Sequence, residues 1–226
     1  TGFDVELLTL FAEEHDYRLK FEEASFGGLL NGIEQGRYDI VCSGVSITEE
    51  RQESMTFSDP YYEEALVLVV RENRSAADKK LDEFQNATLG VIDGSLYDGF
   101  SRERFPNARI DSYPSFNDLF QCDKKKKIDG FLLDIPNFSA VSRTDEKLSY
   151  IEVPGYSVEI GIAFGKNETG KRLQAQMNEY LAAIRADGTY DRMWEHWCTD
   201  TEPTEPPRIP DFSANTEELS TLTGIV

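Results

Sequence analysis

The residues best suited to chemistry lie between Ser43 and Tyr62, in SGVSITEERQESMTFSDPYY. Small polar residues run into Thr48, Glu49 and Glu50, and Arg51 follows one turn inside the helix they announce. A helix start offers unpaired N–H groups and the positive end of the helix dipole, which suits an anion. The Arg51 guanidinium adds a planar fork that fits a carboxylate through two hydrogen bonds. A plainer reading fits the same residues. Ser46-Ile47-Thr48-Glu49 matches a capping box, Thr48 alone can cap the helix, and Arg51 can pair with Glu49 or Glu50 at the surface. Residue chemistry leaves both an anion cradle and an ordinary capped helix open.

Other candidates are sparse. Asp134 ends the apolar run IDGFLLD just before Ile135-Pro136, a position that suits the N-cap of a following helix. His15 and His196 sit where helix surface or packing explains them, and no poised acid–base pair is apparent, so the chain does not read as an enzyme. Cys42, Cys122 and Cys198 are too few and too scattered for a disulfide framework or a zinc site. A Cys42–Cys198 pair stays open beside three separate thiols. Nothing implies a metal or organic cofactor.

The elements that must position these residues alternate. DVELLTLFAEEHD carries Val5, Leu7, Leu8, Leu10 and Phe11 at helical spacing, YRLKF alternates as a strand does, and GGLLNGIEQG is a short helix. DIVCSGVS is a nearly continuous apolar run, as expected of a strand buried on both faces. ALVLVV, ATLGVID, ARIDSYP and IDGFLLD are further strands, with helices in LYDGFSRERF and FNDLFQCDKKKK. Lys124–Lys127 reads as a solvated helix end. A strand over 157–166 leads into a long helix to Ala186, a break at Asp187-Gly188 and a shorter helix to Trp197. This order predicts an α/β protein.

Residues 1–66 with 162–199 form one predicted lobe, and 67–161 a second lobe inserted between two strands. Residues 200–218, rich in Pro and Glu, read as a linker. The segment 219–226 reads as a strand, either the first of lobe 1 or the opening of a following repeat. With 226 residues and 39% hydrophobic content the chain can bury a core. Its net charge of −19 repels nucleic acid and anionic membranes alike. No apolar run reaches the roughly 18–20 residues of a membrane span, and no signal-peptide pattern supplies an address.

The opening stretch resembles the signature of the family 3 extracellular solute-binding proteins: small residues, Ser-Ile-Thr-x-x-Arg, then Phe-Ser-x-Pro-Tyr. The resemblance continues through GFDVELLTLFA, GGLLNGIEQGRYDIV, LGVIDGS and KIDGFLLD, over roughly residues 2–198. It implies a two-lobed periplasmic-binding-protein fold (type II, Venus flytrap) with hinge strands. It also implies extracytoplasmic capture of an amino acid in an interlobe cleft for the permease of an ABC importer, at the periplasm or cell surface, as a lipoprotein or membrane-tethered protein. Carried over to this sequence, Arg51 grips the α-carboxylate with help from Thr48. Ser46 and the Gly44 carbonyl face the α-ammonium, Ser43 is a further ligand-binding residue, and Asp134 neutralises the ammonium. Ser95 and Leu96, beside Gly94, supply donors from the second lobe. Phe26 packs on the ligand side chain or serves as an ordinary core residue.

The family's opening Leu-x-Val-Gly strand and Pro-Pro-Phe-like loop have no match at the start of this chain, whereas TLTGIV resembles that strand's opening. A permuted or tandem arrangement follows as an expectation, with 219–226 filling lobe 1 in cis or in a neighbouring copy. Two other functions share the fold: an input domain of a membrane signalling protein and a dehydratase-like enzyme.

Overall fold

The computed structural model describes residues 2–71, 80–199 and 220–225. They form two compact units. The first comprises Thr1–Ala24, Gly28–Glu63 and Glu159–Val226; the second comprises Ser25–Gly27 and Glu64–Val158. The divisions fall inside two long strands, three residues before the positions expected from sequence. Both strands continue across the division, so the residues mark no edge there. The predicted linker 200–218 lies outside the described residues.

In the first unit, α1 (Phe3–Glu14) buries Phe3, Leu7, Leu8 and Phe11 on one face. Strand β1 (Tyr17–Phe21) precedes α2 (Phe26–Glu34) and β2 (Ile40–Ser46), then α3 (Glu49–Ser54) and β3 (Met55–Phe57). After the second unit the chain returns on β8 (Leu148–Gly165) and continues into α7 (Glu168–Ala186) and α8 (Thr189–Cys198). Asn167 caps α7 by accepting from the Gly170 N–H at 2.9 Å. Gly188 separates α7 from α8 with φ +78°, a left-handed turn that glycine adopts without a Cβ penalty.

The strand order in this unit is β1-β9-β2-β8, with β3 also on β8. Here β9 (Ser220–Ile225) lies parallel to β1, with Tyr17 opposite Ser220, and parallel to β2, with Ile40 opposite Gly224. Asp39 fixes the register from both sides. Its N–H donates to the Thr223 carbonyl at 2.9 Å, and its carboxylate accepts from the Thr223 N–H at 2.9 Å. The core joins α1, β2, β8, α7 and α8 through Leu7, Phe11, Ile40, Ile162, Leu173 and Met193. Cys42 and Cys198 lie in this core without a disulfide between them, and Cys122 forms none either. Burial, followed by the charge of Asp4, holds the Cys42 thiol well above its ordinary pKa, so it packs as a neutral group.

The second unit carries the order β8-β4-β7-β5-β6, built from β4 (Tyr62–Arg71), β5 (Thr88–Ile92), β6 (Arg109–Tyr113) and β7 (Gly130–Asp134). Helices α4 (Leu96–Arg104), α5 (Phe116–Lys124) and α6 (Ile135–Ser142) connect them. The apolar run ALVLVV is continuous because β4 is covered on both faces. Leu66, Leu68 and Val70 join one core with Tyr97 and Leu132, while Val67 and Val69 join another with Phe131 and Leu133.

Strand β8 is longer than the sequence suggests. It begins at Leu148 rather than near 157, because Pro154 and the left-handed Gly155 (φ +86°) interrupt the pattern without ending the pairing. Among the described residues no helix is long and apolar enough to cross a membrane.

Candidate functional site

Each unit holds one part of the predicted constellation. In the first unit, β2 carries the chain to Ser46 and α3 begins three residues later. Its pairing with β8 shifts register between Val41 and Val45, and Gly44 sits inside that irregularity with φ +60°. A Cβ there would make ordinary contact with the Tyr62 hydroxyl at 3.4 Å, so it is the left-handed backbone that favours glycine. Ser43 and Gly44 are half-buried and Ser46 is buried.

The helix cap is Thr48, whose Oγ1 accepts from the Arg51 N–H at 3.1 Å. The capping box read at Ser46 does not form. Ser46 remains in β2, opposite Ile160, and is too early to cap α3. The Arg51 guanidinium turns back along the strand end and donates through Nη1 to the Ser46 carbonyl at 2.9 Å. Thr48 thus holds the backbone of Arg51 while Ser46 fixes the direction of its side chain. An arginine posed this way is a fork oriented in advance.

In the second unit Asp134 ends β7 and is 2% exposed. Its Oδ1 accepts from the Asn137 N–H at 2.6 Å and its Oδ2 from Asn137 Nδ2 at 2.7 Å, so it caps α6. Ser95 stands at the N-cap of α4, but its hydroxyl donates to the Ile92 carbonyl at 2.6 Å and does not cap the helix. Gly94, with φ +77°, turns the chain there, and Leu96 begins α4 half-buried. Phe26 opens α2, half-buried and outside the three core clusters, which weakens its reading as an ordinary core residue.

Beside Asp134 lies a group that the sequence reading missed. Glu64, on β4, is 2% exposed. It accepts from Tyr97 of α4 through Oε1 and from Tyr156 of β8 through Oε2, the latter at 3.2 Å. The Tyr97 hydroxyl also lies 3.2 Å from Asp134 Oδ2. Burial, and next the nearby charge of Asp134, push the Glu64 carboxyl up to about 8, so it is largely protonated at neutral pH. The available signal was phase. Glu64 alternates with Leu66 and Leu68, which places an acid on a buried face.

A sequence profile of the bacterial extracellular solute-binding proteins, family 3, matches residues 1–200. The chain belongs to this family. Among its relatives, this family 3 protein is 26% identical over 200 residues to ABC transporter arginine-binding protein 1 of Escherichia coli K12, a match covering 87% of this chain and 81% of that one. It resembles the solved structure of a putative ABC-transporter binding component from Wolinella succinogenes complexed with lysine. There the TM-score is 0.79 and the identity 27%, covering 89% of this chain and 87% of that one. An ancestral amino-acid-binding protein described as a precursor of cyclohexadienyl dehydratase is similar at TM-score 0.78 and 26% identity, covering 88% of this chain and 86% of that one. The α/β fold is therefore that of solved amino-acid-binding proteins.

Proposed function

We propose that this family 3 protein captures a free amino acid outside the cytoplasm and passes it to the permease of an ABC importer. Arg51 holds the α-carboxylate, assisted by Thr48, and Asp134 takes the α-ammonium. The observation that carries the reading is the pose of Arg51, whose backbone is fixed by Thr48 and whose side chain is oriented by the Ser46 carbonyl. One fixed cation and one buried carboxylate suit a zwitterion better than a sugar or a plain acid. Its relatives, which include an arginine-binding protein and a binding component solved with lysine, support an amino acid. In the fuller form of this reading, Ser43, Gly44, Ser46, Ser95, Leu96 and Phe26 contribute contacts. The pairing of β9 with β1 and β2 in the same chain favours 219–226 as a strand of lobe 1 over the opening of a following repeat.

The test is a thermal-shift screen of the twenty amino acids, with Arg51→Ala as control. A ligand at about 100 times its Kd stabilises by roughly 2.7 kcal/mol. A shift with one or a few amino acids, abolished in Arg51→Ala, is the expected result; a shift that survives the substitution refutes the role given to Arg51.

A second reading, a dehydratase-like enzyme, draws support from one observation. Glu64 is a buried carboxyl that keeps its proton near neutral pH, which a general acid requires. Recovery of the bound amino acid unchanged after prolonged incubation would exclude it.

A further inference from the structure

Glu64 and Asp134 are two buried carboxyl groups bridged by a single hydroxyl, and like charges this close disfavour ionising both. The Tyr97 hydroxyl has one proton yet lies within reach of Glu64 Oε1 and Asp134 Oδ2, so it donates fully to only one of them. Asn137 gives Asp134 two donors, at 2.6 and 2.7 Å. Glu64 receives only neutral hydroxyls, from Tyr97 and Tyr156. The titratable groups facing Glu64 are thus Asp134 from β7, Tyr97 from α4 and Tyr156 from β8, with no cation among these neighbours.

We propose that Glu64 and Asp134 form one proton-holding anionic pole, and that a ligand ammonium group arriving at Asp134 expels the Glu64 proton to solvent, making amino-acid capture proton-linked. The inference rests on the reading of Asp134 as the ammonium partner. Charge balances across the step: one ammonium enters, one proton leaves, and the pole goes from one negative charge to two beside one positive ligand group. Glu64 acts as a positioning residue through Asp134 and sets how much negative charge the pole can offer.

The experiment has a ligand-free arm and a binding arm. In the ligand-free protein, the ¹³C carboxyl shift of Glu64 is followed against pH. A midpoint near 8 is expected, and a midpoint near the ordinary glutamate value of 4.5 overturns the shared proton. In the binding arm, L-arginine, L-lysine and L-glutamine are titrated calorimetrically in phosphate and in Tris, whose ionisation heats differ. Release of close to one proton at pH 7 is expected, with affinity rising about tenfold per pH unit from pH 6 toward 8. Glu64→Gln should flatten that slope and hold affinity at the wild type's low-pH value. Binding without buffer-dependent heat, or an unchanged slope in Glu64→Gln, overturns this inference while leaving the binding function standing. Failure of all three probes to bind, with the rest of the twenty amino acids also silent, overturns both.

Discussion

Arg71 gives the sharpest quantitative test of how the second unit is held together. It ends β4 and forms ion pairs with Asp123 of α5 at 2.5 Å and with Asp145, beyond α6, at 2.8 Å. The side chain of Asp123 is 4% exposed, whereas that of Arg71 is 20% exposed. Substitution of Arg71 by Met keeps most of the stem and removes the charge, leaving a buried carboxylate without its ion-pair partner. Breaking a buried pair from one side costs about 3–5 kcal/mol, and the partial exposure of Arg71 points to the lower end. The assay is urea unfolding at pH 7 of the wild type, Arg71→Met, Asp123→Asn and the double variant. The double variant should recover much of the loss, because no unpaired charge remains at Asp123.

Acid should narrow the gap between the wild type and Arg71→Met, for two reasons. Burial already raises the Asp123 carboxyl, and losing Arg71 raises it further, so the variant's penalty grows as pH rises. Hydrogen bonding to Arg71 lowers the Asp145 carboxyl, so wild-type stability from that contact fades as pH falls. A loss below about 1 kcal/mol at pH 7, of the size of an exposed pair, would refute the reasoning.

The remaining predictions concern the site and its supports. Because the Glu64 carboxyl is raised from 4.5 to about 8, its contribution to stability is complete below 4.5 and is lost as pH rises through about 8; the full span is about 5 kcal/mol. Urea midpoints from pH 5 to 9 should show this decline in the wild type and a flatter profile in Glu64→Gln. Gly44→Ala places a side chain at φ +60°, near the Tyr62 hydroxyl, and should cost about 1–2 kcal/mol, read as a lowered Tm, while weakening any amino-acid thermal shift. Asp39→Ala removes the carboxylate that accepts from the Thr223 N–H and should speed hydrogen exchange at that amide, with protection elsewhere in the first unit largely kept.

The sequence exposed what depends on local pattern and hid what depends on packing across the chain. Thr48 and Arg51 were legible because cap and fork lie three residues apart, on one turn. The α/β order was legible because strands such as ALVLVV are apolar throughout, which only burial on both faces explains. The start of β8 was not, since Pro154 and Gly155 look like a turn and only the neighbouring strand shows that pairing continues. Glu64 is one of two consecutive acids, and its neighbours Tyr97 and Tyr156 lie far along the chain, so nothing local reveals its proton. The hydroxyl of Ser95 could cap a helix or bond backward, and the local fold chose the Ile92 carbonyl. Cys42 and Cys198 share one core without pairing, a fact that spacing alone could not reveal.

The place of β9 has a consequence for synthesis. Strands β1 and β2 emerge early from the ribosome, yet the strand between them is translated only after the whole second unit and after α7 and α8. Vectorial folding can therefore complete the later-starting unit first, while the earlier one waits with two strand flanks unpaired. At about 5–20 residues per second the delay is on the order of ten seconds or more. Unpaired strand flanks invite pairing with other chains over that interval. Demand for a holding chaperone should therefore centre on the segment from β1 to β2, and Asp39, at the entry to β2, stands where the late strand is finally clamped.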